Sequence, residues 1–425
     1  MQKNLKIAIL TEETAIGGGQ KFSINLGDFL RRHGHHVAIV AAKSGNWHDL
    51  PGRYGLDVWH APTGVGATVA HKARAMAAYL NSGGFDIVLL NAGDVNRIGH
   101  LATRMLPDRI GVVMIFHGGW PRLYELARKE RESWNVAVGV GPDSFAGATA
   151  ALPGRPVFGI TNGVELPDLT QIATRRDWEL PLRLLFVGRL VDPHKGIFRL
   201  PRILQACRQR GLPVHLTVIG DGPDRRHLME SFAAAGLGDE SVHMAGAYQP
   251  EQIAAAARDH HLFVFPTNTE GMPLALLEAQ ANGCVPVTTY LSGVTDVAVE
   301  QNVSGRLVAP GDIAGFADQI AAMMDPETWR RHSLAGIERT RMEFSVKAMG
   351  TQYLDLIQEL AAGRYPKARS SGLSRRSPFK LFDHLLLPAF EPRMLPEPVF
   401  RSALRVRAGL RRILPKSWIG KVRYY

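Results

Sequence analysis

Residues 262–289 read LFVFPTNTEGMPLALLEAQANGCVPVTT, and this stretch decides the fold class. The apolar runs at Leu262–Pro266 and Val285–Thr289 each have the length and composition of a buried strand. Between them, Pro273–Asn282 has the composition of a helix, and Pro273 stands at its start, where a missing amide proton is tolerated. Two continuous apolar strands joined by a helix predict a parallel sheet that is covered on both faces.

The same alternation of short apolar runs and helix-length segments extends along the rest of the chain. In the first half, the predicted strands are Lys6–Leu10, Val37–Ala42, Asp86–Asn91, Val112–His117 and Val136–Val140. In the second half, the strands predicted before residue 262 are Leu182–Gly188, Val214–Gly220 and Val242–Gly246. Two such sets predict two doubly wound α/β domains, with a ligand site in the cleft between the carboxyl ends of the two sets of strands.

Proline and glycine place the boundary between the two predicted domains. The segment Ala151–Pro181 contains four prolines and reads as a linker. We expect a first domain at 1–165, a second at 166–345, a helix at 346–362 that can return to the first domain, and a basic amphipathic tail at 363–425.

The charge of the chain is concentrated in that tail. The 425 residues carry a net charge of +11, which by itself favours a polyanion-binding protein. Residues 363–425 contain 15 Lys or Arg and three Asp or Glu, so the tail has a net charge of +12 and the remaining residues one of −1. The net charge therefore says nothing about what the body of the protein binds.

Cysteine content and hydropathy bear on the expected location. The chain has two cysteines, Cys207 and Cys284, which are too far apart in sequence to form a zinc motif or a disulfide framework and suit a reducing compartment. The N-terminal apolar stretch, 7–10, is far too short for a signal peptide. We expect a cytoplasmic protein that is peripheral on the cytosolic face of the inner membrane.

Basic and acidic residues follow the predicted strands of the second domain. Arg189 follows the strand Leu182–Gly188, and Lys195 stands at the predicted start of the helix 196–210, so these two cations can hold two phosphates. Glu270 lies in the loop before Pro273, and Glu278 lies further along the following helix. Two carboxylates there can accept hydrogen bonds from vicinal hydroxyls of a sugar or a ribose. A solvated loop and a surface glutamate are the structural alternatives.

Two features of the first domain point into the same cleft. Gly17-Gly18-Gly19 follows the first strand and precedes a helix, so bare backbone amides can approach a phosphate, and a flexible turn is the structural alternative. His117 ends a strand and is followed by two glycines, which places its imidazole at the cleft. The sequence contains neither a D-x-D nor an H-E-x-x-H motif, so no metal site is predicted.

These motifs together resemble the retaining glycosyltransferases of family four, which have the GT-B fold of two Rossmann-like domains. The resemblance covers roughly 6–362 and rests on GGGQKFSINLGDFLRRHGHHV, HGG, TNGV, GRLVDPHKG, VIGDGP and FPTNTEGMPLALLEAQANGCVPV. It implies transfer of a sugar from a nucleotide-diphosphate sugar such as a UDP- or GDP-sugar, with no obligatory cofactor. It also implies that the first domain binds the acceptor and that the second binds the nucleotide sugar.

The resemblance assigns roles to residues at the matching positions. Arg189 and Lys195 look like the diphosphate clamp, Glu270 like the ligand of the donor sugar hydroxyls, and Glu278 like the ribose ligand. His117 matches the cleft histidine near the donor sugar. The remaining donor-binding positions, which act through backbone amides or through base stacking, are Gly18, Gly19, Gly271, Met272, Leu274 and Tyr248.

The family's proposed front-face mechanism fits this set of residues. In it the leaving phosphate oxygen accepts the proton of the acceptor, so no protein nucleophile is required. Stabilisation of the departing diphosphate by cations becomes the main catalytic contribution. Arg189 and Lys195 would supply the charge that a metal supplies in other transferases.

The tail predicts where such an enzyme works. Residues 398–414 place Val399, Ala403, Val406, Leu410 and Ile413 on one helical face, with arginines opposite. A basic amphipathic helix with neighbouring aromatic residues favours docking of residues 379–425 on an anionic membrane surface, where each cation adds about 1 kcal/mol. A disordered tail and a helix packed on protein are the alternatives.

Three other functions remain open from the sequence. A nucleic-acid-binding protein would use the basic tail. The tail has no nucleic-acid motif, however, and no nucleic acid is expected as a partner. An oxidoreductase would need a dinucleotide fingerprint, which the Gly17–Gly19 region lacks. A non-catalytic GT-B subunit would keep the fold without the chemistry. The preferred prediction is a retaining hexosyltransferase with a glycan or lipid-linked acceptor, acting in cell-envelope or exopolysaccharide synthesis, including lipopolysaccharide.

Overall fold

The computed structural model describes residues 4–14, 17–64, 67–92, 97–173 and 178–367, which form two parallel sheets covered by helices. The strands of the first sheet are β1 Lys6–Glu13, β2 His36–Lys43, β3 Asp57–His60, β4 Ile87–Ala92, β5 Gly111–Phe116, β6 Val136–Gly139 and β7 Val157–Gly159. Those of the second sheet are β8 Leu182–Val187, β9 Val214–Ile219, β10 Val242–Gly246, β11 Leu262–Phe265, β12 Val285–Thr289 and β13 Arg306–Val308. The two doubly wound sheets predicted from the sequence are confirmed.

Helices connect the strands and cover both sheets. In the first half they are α1 Gly18–Arg32, α2 Leu50–Arg53, α3 Val69–Ser82, α4 Arg97–Thr103, α5 Pro121–Lys129, α6 Pro142–Ala151 and α7 Leu169–Ala173. In the second half they are α8 Asp192–Lys195, α9 Arg199–Gln209, α10 Arg225–Ala234, α11 Pro250–Asp259, α12 Leu274–Ala281, α13 Thr295–Ala298, α14 Ile313–Ala322, α15 Pro326–Glu343 and α16 Val346–Ala361. Amphipathic helices such as α9 bury one face on a sheet, as the alternating pattern predicts.

The strand order places a switch point at the centre of each sheet. The first sheet has the order β3-β2-β1-β4-β5-β6-β7, and the second has the order β10-β9-β8-β11-β12-β13. The chain reverses direction across the sheet between β1 and β4 and again between β8 and β11. The loops that follow these neighbouring strands diverge, which creates a crevice between them. Doubly wound sheets bind their ligands in such a crevice.

Three strands were not predicted from the sequence, and all three lie at sheet edges. β3, β7 and β13 have only three or four residues each and are partly exposed. An edge strand is buried on fewer sides, so it lacks the continuous apolar run that reveals a central strand such as β5. β7 also lies inside the segment 151–181, so the prediction that this whole segment is a linker is wrong.

The last helix of the fold, α16, packs against the first helix, α1. Ser345 caps α16 by accepting a hydrogen bond from the amide of Ala348 at 3.1 Å. Gly350 lies against the ring of Phe29 in α1, and no room is left there for a β-carbon. The chain therefore crosses from the second sheet back to the first before the basic tail begins. The exact boundaries at 165 and 345 stay predictions.

The first residues of the predicted tail are part of this packing. The ring of Tyr365 makes an edge contact with Phe158 of β7, with 5.6 Å between the ring centroids. The side-chain amide of Asn135 donates to the Tyr365 carbonyl at 2.7 Å, and the Lys367 ammonium donates to the Pro107 carbonyl at 3.3 Å. The amphipathic helix predicted at 398–414 and the rest of the membrane-docking segment lie outside the described residues.

Both cysteines are buried in the second domain, and neither forms a disulfide. Burial raises the pKa of the Cys207 thiol to about 12. Among the helices that the structure describes, none has the length and apolarity needed to cross a bilayer.

The contact between α16 and α1 can be tested with Gly350→Ala. A Gly→Ala change inside a helix ordinarily stabilises by about 0.5–1 kcal/mol, but here the new methyl group meets the Phe29 ring. We expect overpacking to lower the free energy of unfolding in urea by about 1–3 kcal/mol. The exposed neighbour Thr351→Ala serves as control and should change it by less than about 0.5 kcal/mol. Equal or higher stability of Gly350→Ala would contradict the close packing.

Candidate functional site

The switch point of the second sheet brings together the loops that carry the predicted cations and carboxylates. β8 pairs directly with β11, with Leu184 opposite Leu262 in a parallel register. The loop after β8 leads to Arg189 and α8, and the loop after β11 leads to Glu270 and α12. Parallel strands end at the same edge of a sheet, so residues about 75 positions apart in the chain become neighbours there.

Lys195 and Glu270 form an ion pair at this edge. The Lys195 Nζ atom lies 2.6 Å from the Glu270 Oε1 atom, and the two side chains retain 22% and 10% of their exposure. The Lys195 ammonium also lies 5.1 Å from the centre of the Phe265 ring. Because the pair is largely desolvated, its attraction is stronger than that of a surface salt bridge. Both charges remain close enough to the cleft to meet a ligand.

A set of hydrogen bonds docks the Glu270 loop onto α8. The hydroxyl of Thr267 lies 2.7 Å from Glu270 Oε1 and 2.9 Å from the carbonyl of His194. The amide of Asn268 also donates to the His194 carbonyl, at 2.9 Å. The loop is therefore fixed relative to Lys195, which orients the Glu270 carboxylate.

The position of Lys195 differs from the sequence prediction. Lys195 was expected to open a helix that runs to residue 210. Instead it is the last residue of the short helix α8, because Gly196 adopts the left-handed conformation with φ of 58° and ends that helix. The long helix α9 begins at Arg199. A helix N-terminus thus does not reinforce the positive charge of Lys195.

Arg189 lies at the carboxyl end of β8 and is exposed. Within the described residues, its guanidinium has neither an ion-pair partner nor a side-chain hydrogen bond. The structure therefore brings Lys195 and Glu270 into contact, whereas Arg189 stands apart from them as an uncompensated cation at the same edge of the sheet.

The predicted backbone donors lie at the start of α12, which opens at Leu274 with Pro273 as its N-cap. Met272 and Leu274 are buried, with 6% and 5% exposure. Free amides at a helix start attract negative oxygens. These residues follow Glu270 directly, so their amides and its carboxylate share one short loop.

Glu278 lies in the middle of α12 and is not in contact with Glu270. Burial raises the pKa of its carboxyl, the positive charge of Lys21 in α1 opposes this shift, and the negative charge of Glu165 adds to it. Lys21 itself is only 7% exposed. Glu278 therefore faces residues of the first half of the chain across the seam between the domains.

Tyr248 and Tyr54 lie near the same seam. Tyr248 follows β10 and is half-buried against the core, so its ring is only partly available for stacking on a base. Burial, together with smaller contributions from nearby carboxylates that include Glu165 and Glu278, raises the pKa of the Tyr54 hydroxyl to about 12.

In the first domain, His117 follows β5 and is held by the side chain of Asn91 at the end of β4. The His117 Nε2 atom lies 3.0 Å from Asn91 Oδ1, and the imidazole makes an edge contact with Phe22. The surrounding protein desolvates the ring and lowers its pKa to about 4. The imidazole is therefore neutral near pH 7.

Gly18 and Gly19 form the first turn of α1, whereas the sequence placed them before the helix. No heavy atom lies within 4 Å of the position that a β-carbon would occupy on either residue. This open space leaves their backbone accessible at the positive end of a fifteen-residue helix.

The two domains meet directly between His117 and Gly271. A β-carbon on Gly271 would overlap the carbonyl oxygen of His117, so only glycine permits this approach. A second contact joins Asp143 of α6 to Gly293, where the Asp143 amide donates to the Gly293 carbonyl at 3.4 Å. His117 and Glu270 are thereby held on the two sides of one narrow cleft.

Several residues of this site were missed by sequence reasoning. Thr267 stands three residues before Glu270, a spacing that could have suggested support of the carboxylate. Asn91 ends its strand as His117 does, which is the same signal. Lys21 and Glu165 gave no signal, because their proximity to Glu278 arises only when the domains pack together.

In the part of the chain that the structure describes, no three His, Cys, Asp or Glu side chains cluster in a way that could hold a metal ion.

Comparison with solved structures identifies the class of fold. The structure of Anabaena HepE in complex with UDP and glucose matches with a TM-score of 0.70 and 18% identity, covering 83% of this chain and 99% of that one. The two facing sheets are thus the GT-B fold, as the resemblance predicted.

Comparison of sequences shows a similarity to one family over part of the chain. Residues 181–325 match the model of the family Glycosyl transferases group 1. The amylovoran biosynthesis glycosyltransferase AmsK of Erwinia amylovora is 30% identical over 47% of this chain and 50% of its own length. The phosphatidyl-myo-inositol mannosyltransferase of Mycobacterium leprae is 27% identical over 76% of this chain and 88% of its own. Residues 181–325 thus resemble the group 1 glycosyltransferases, in agreement with the resemblance predicted from the motifs.

The extent of these sequence matches differs. At 30% identity or more, the matched region spans about half the length of the curated relatives. The family model aligns to the half of the chain that contains Lys195 and Glu270.

The contact between the domains can be tested with Gly271→Ala. The added methyl group overlaps the His117 carbonyl, so we expect the domains to separate at this point. Small-angle scattering should show a larger radius of gyration than in the unmodified protein. Gly52→Ala serves as control, because no heavy atom lies within 4 Å of its β-carbon position. An unchanged radius for Gly271→Ala would show that the contact does not hold the domains together.

Proposed function

We propose that the chain is a retaining glycosyltransferase that moves a sugar from a nucleotide-diphosphate sugar to a glycan or glycolipid acceptor. The observation that carries this proposal is the Lys195–Glu270 ion pair at the switch point of the second sheet, opposite His117. A cation suited to a diphosphate and a carboxylate suited to sugar hydroxyls stand within one hydrogen bond of each other. A nucleotide-diphosphate sugar presents both kinds of group.

The names of the relatives support the direction of the proposal. One relative is named for the biosynthesis of the polysaccharide amylovoran, and another for mannosyl transfer to a phosphoinositide. HepE has been solved with UDP and glucose. A role in cell-envelope or exopolysaccharide synthesis follows from these two kinds of acceptor.

The donor-binding roles follow from the positions of the charges. Arg189 and Lys195 bind the diphosphate, and Glu270 accepts hydrogen bonds from hydroxyls of the donor sugar. Lys195 and Glu270 neutralise each other in the structure. A diphosphate that replaces Glu270 as the partner of the Lys195 ammonium therefore leaves the carboxylate free to bind the sugar. The two steps of recognition are thus coupled through one ion pair.

The other donor contacts come from both domains. The backbone amides of Gly271, Met272 and Leu274 and the backbone of Gly18 and Gly19 meet the phosphate and sugar oxygens. Glu278 binds the ribose, and Tyr248 lies beside the base.

The transfer step needs no protein nucleophile. The bond between the anomeric carbon and the phosphate oxygen breaks on the same face on which the acceptor oxygen forms its new bond, so the configuration is retained. The acceptor proton passes to the departing phosphate oxygen. Arg189 and Lys195 stabilise the negative charge that develops on that oxygen, which is the role of a metal ion in other transferases.

A ligand screen with matched variants tests this proposal. We expect UDP, GDP or ADP, or one of their sugars, to raise the melting temperature, because a ligand stabilises the native state that binds it. Lys195→Met and Glu270→Gln should keep the fold and lower sugar transfer by about 10²–10³-fold. Lys129→Met is the control, since it breaks the exposed Lys129–Glu125 pair of α5.

The outcomes of this screen separate the alternatives. The absence of a shift with every nucleotide and nucleotide sugar would refute donor binding. Donor binding without transfer to any glycan or lipid acceptor would favour a non-catalytic subunit. If both site variants transferred sugar at the rate of the unmodified protein, the ion pair would have no role in the mechanism.

We also propose that residues 379–425 dock the enzyme on an anionic membrane surface. The support is the basic amphipathic pattern of 398–414 together with the neutral charge of the remaining chain. The enzyme would then meet a lipid-linked acceptor at the cytosolic face of the membrane.

Truncation after Lys367 tests the membrane proposal. This position keeps the contacts of Tyr365 and Lys367 with the first domain. We expect the truncated protein to lose cosedimentation with phosphatidylglycerol vesicles and to keep its nucleotide-induced thermal shift. Full-length protein at high salt should also dissociate, because the attraction is screened. Vesicle binding that survives truncation would contradict the proposal, as would equal binding of the full-length protein to neutral vesicles.

A further inference from the structure

Three hydrogen bonds connect His117 to the backbone of α1. The His117 Nε2 atom lies 3.0 Å from Asn91 Oδ1, and the Asn91 Nδ2 atom lies 2.7 Å from the hydroxyl of Ser23. The Ser23 hydroxyl lies 2.8 Å from the carbonyl oxygen of Gly19. Asn91 and Ser23 are 7% and 1% exposed. These contacts join the end of β4, the loop after β5 and the first turn of α1.

The carbonyl at one end of this chain of bonds fixes the direction of all three. A carbonyl oxygen can only accept, so the Ser23 hydroxyl must donate its one proton to Gly19. Ser23 must then accept from Asn91, which turns the Nδ2 group of the amide toward Ser23 and its Oδ1 atom toward His117. Because Oδ1 can only accept, the proton of the imidazole must reside on Nε2.

The tautomer of a neutral imidazole determines what its other nitrogen can do. With Nε2 protonated, Nδ1 carries a lone pair and can only accept a hydrogen bond. The loop of Glu270 is the part of the other domain next to His117, since the His117 carbonyl touches Gly271, which follows Glu270. A hydroxyl group that is bound beside Glu270 is the kind of donor that an unprotonated Nδ1 accepts.

We propose that Asn91 and Ser23 are positioning residues that hold His117 as its Nε2-protonated tautomer, so that Nδ1 accepts a hydrogen bond from a substrate hydroxyl. This inference rests on the proposed function for the identity of the substrate, but not for the tautomer. The low pKa of His117, caused by its desolvation, agrees with a neutral ring. The hydroxyl belongs either to the donor sugar or to the acceptor, and the two sources are separated below.

The tautomer is tested by nitrogen NMR of the full-length protein labelled with ¹⁵N-histidine. His117→Gln identifies the His117 signals among those of the 16 histidines. We expect Nε2 of the unmodified protein to resonate as a protonated nitrogen and Nδ1 as an unprotonated one. The reverse assignment, or a doubly protonated ring at pH 7, would overturn the proposal. The experiment needs no ligand, so its result stands even if the protein binds no nucleotide.

Variants of the two positioning residues test the direction of the bonds. In Ser23→Ala the side-chain amide of Asn91 loses Ser23 as an acceptor and can turn over, so we expect the His117 ring to shift toward the Nδ1-protonated form. Asn91→Ala should have the same effect, whereas Asn91→Asp keeps an acceptor for Nε2–H and should restore the original tautomer. An unchanged tautomer in both alanine variants would overturn the proposal.

A matched control separates this effect from the loss of a helical serine. Ser82 in α3 donates to the carbonyl four residues earlier, at 2.8 Å, as Ser23 does, but it is exposed and far from His117. Ser82→Ala should leave the His117 signals unchanged. If it moved them as much as Ser23→Ala does, the specific role of Ser23 would be refuted.

Binding and kinetics then identify the source of the hydroxyl. With His117→Ala, a smaller thermal shift for the nucleotide sugar but not for the nucleotide diphosphate would assign the hydroxyl to the donor sugar. A normal donor shift with a raised KM for the acceptor would assign it to the acceptor. In either case Ser23→Ala should lower kcat/KM by about 3- to 10-fold, the effect of one misdirected hydrogen bond. Unchanged kcat/KM, together with unchanged donor and acceptor binding, would overturn the role.

Discussion

The site depends on the close approach of Gly271 to the carbonyl oxygen of His117. Each domain presents the ends of its parallel strands to the other, but the two sheets become one cleft only where their backbones touch. A side chain at position 271 would prevent that contact. Because Glu270 precedes Gly271 directly, the same contact sets the distance between the carboxylate of one domain and the imidazole of the other.

The second sheet prepares its half of the cleft through local order. Pairing of β8 with β11 brings two loops to one edge, and hydrogen bonds from Thr267 and Asn268 to the His194 carbonyl fix their relation. Lys195 and Glu270 then form their ion pair without further adjustment. Such preorganisation suits the proposed sugar transfer, since charges that are already in place would need no rearrangement as the diphosphate departs.

The first sheet positions its own side of the cleft, which carries His117, in a different way. Its imidazole is oriented by side chains of β4 and α1 rather than by charges, and the low pKa that burial gives His117 keeps the ring neutral. The side of the cleft with Lys195 and Glu270 is charged and suits phosphates and hydroxyls. The side with His117 is neutral and can contribute hydrogen bonds but no charge. The seam near Glu278 extends this pattern, because a carboxylate of one domain there faces the cation Lys21 of the other.

The sequence by itself determined the two doubly wound sheets, ten of the thirteen strands that the structure describes, and the placement of Lys195 and Glu270 beyond the carboxyl ends of two strands of the second sheet. These features follow from local apolar periodicity and from the rule that parallel strands end together. It did not reveal the edge strands β3, β7 and β13, whose short and partly polar segments lack that periodicity. It also placed Lys195 at a helix start, because it could not foresee that Gly196 ends a separate short helix. Only the tertiary structure decided that Asn91 and Ser23 orient His117 and that Lys21 faces Glu278. Those contacts join residues whose proximity depends on how whole domains and helices pack, which no local pattern in the chain encodes.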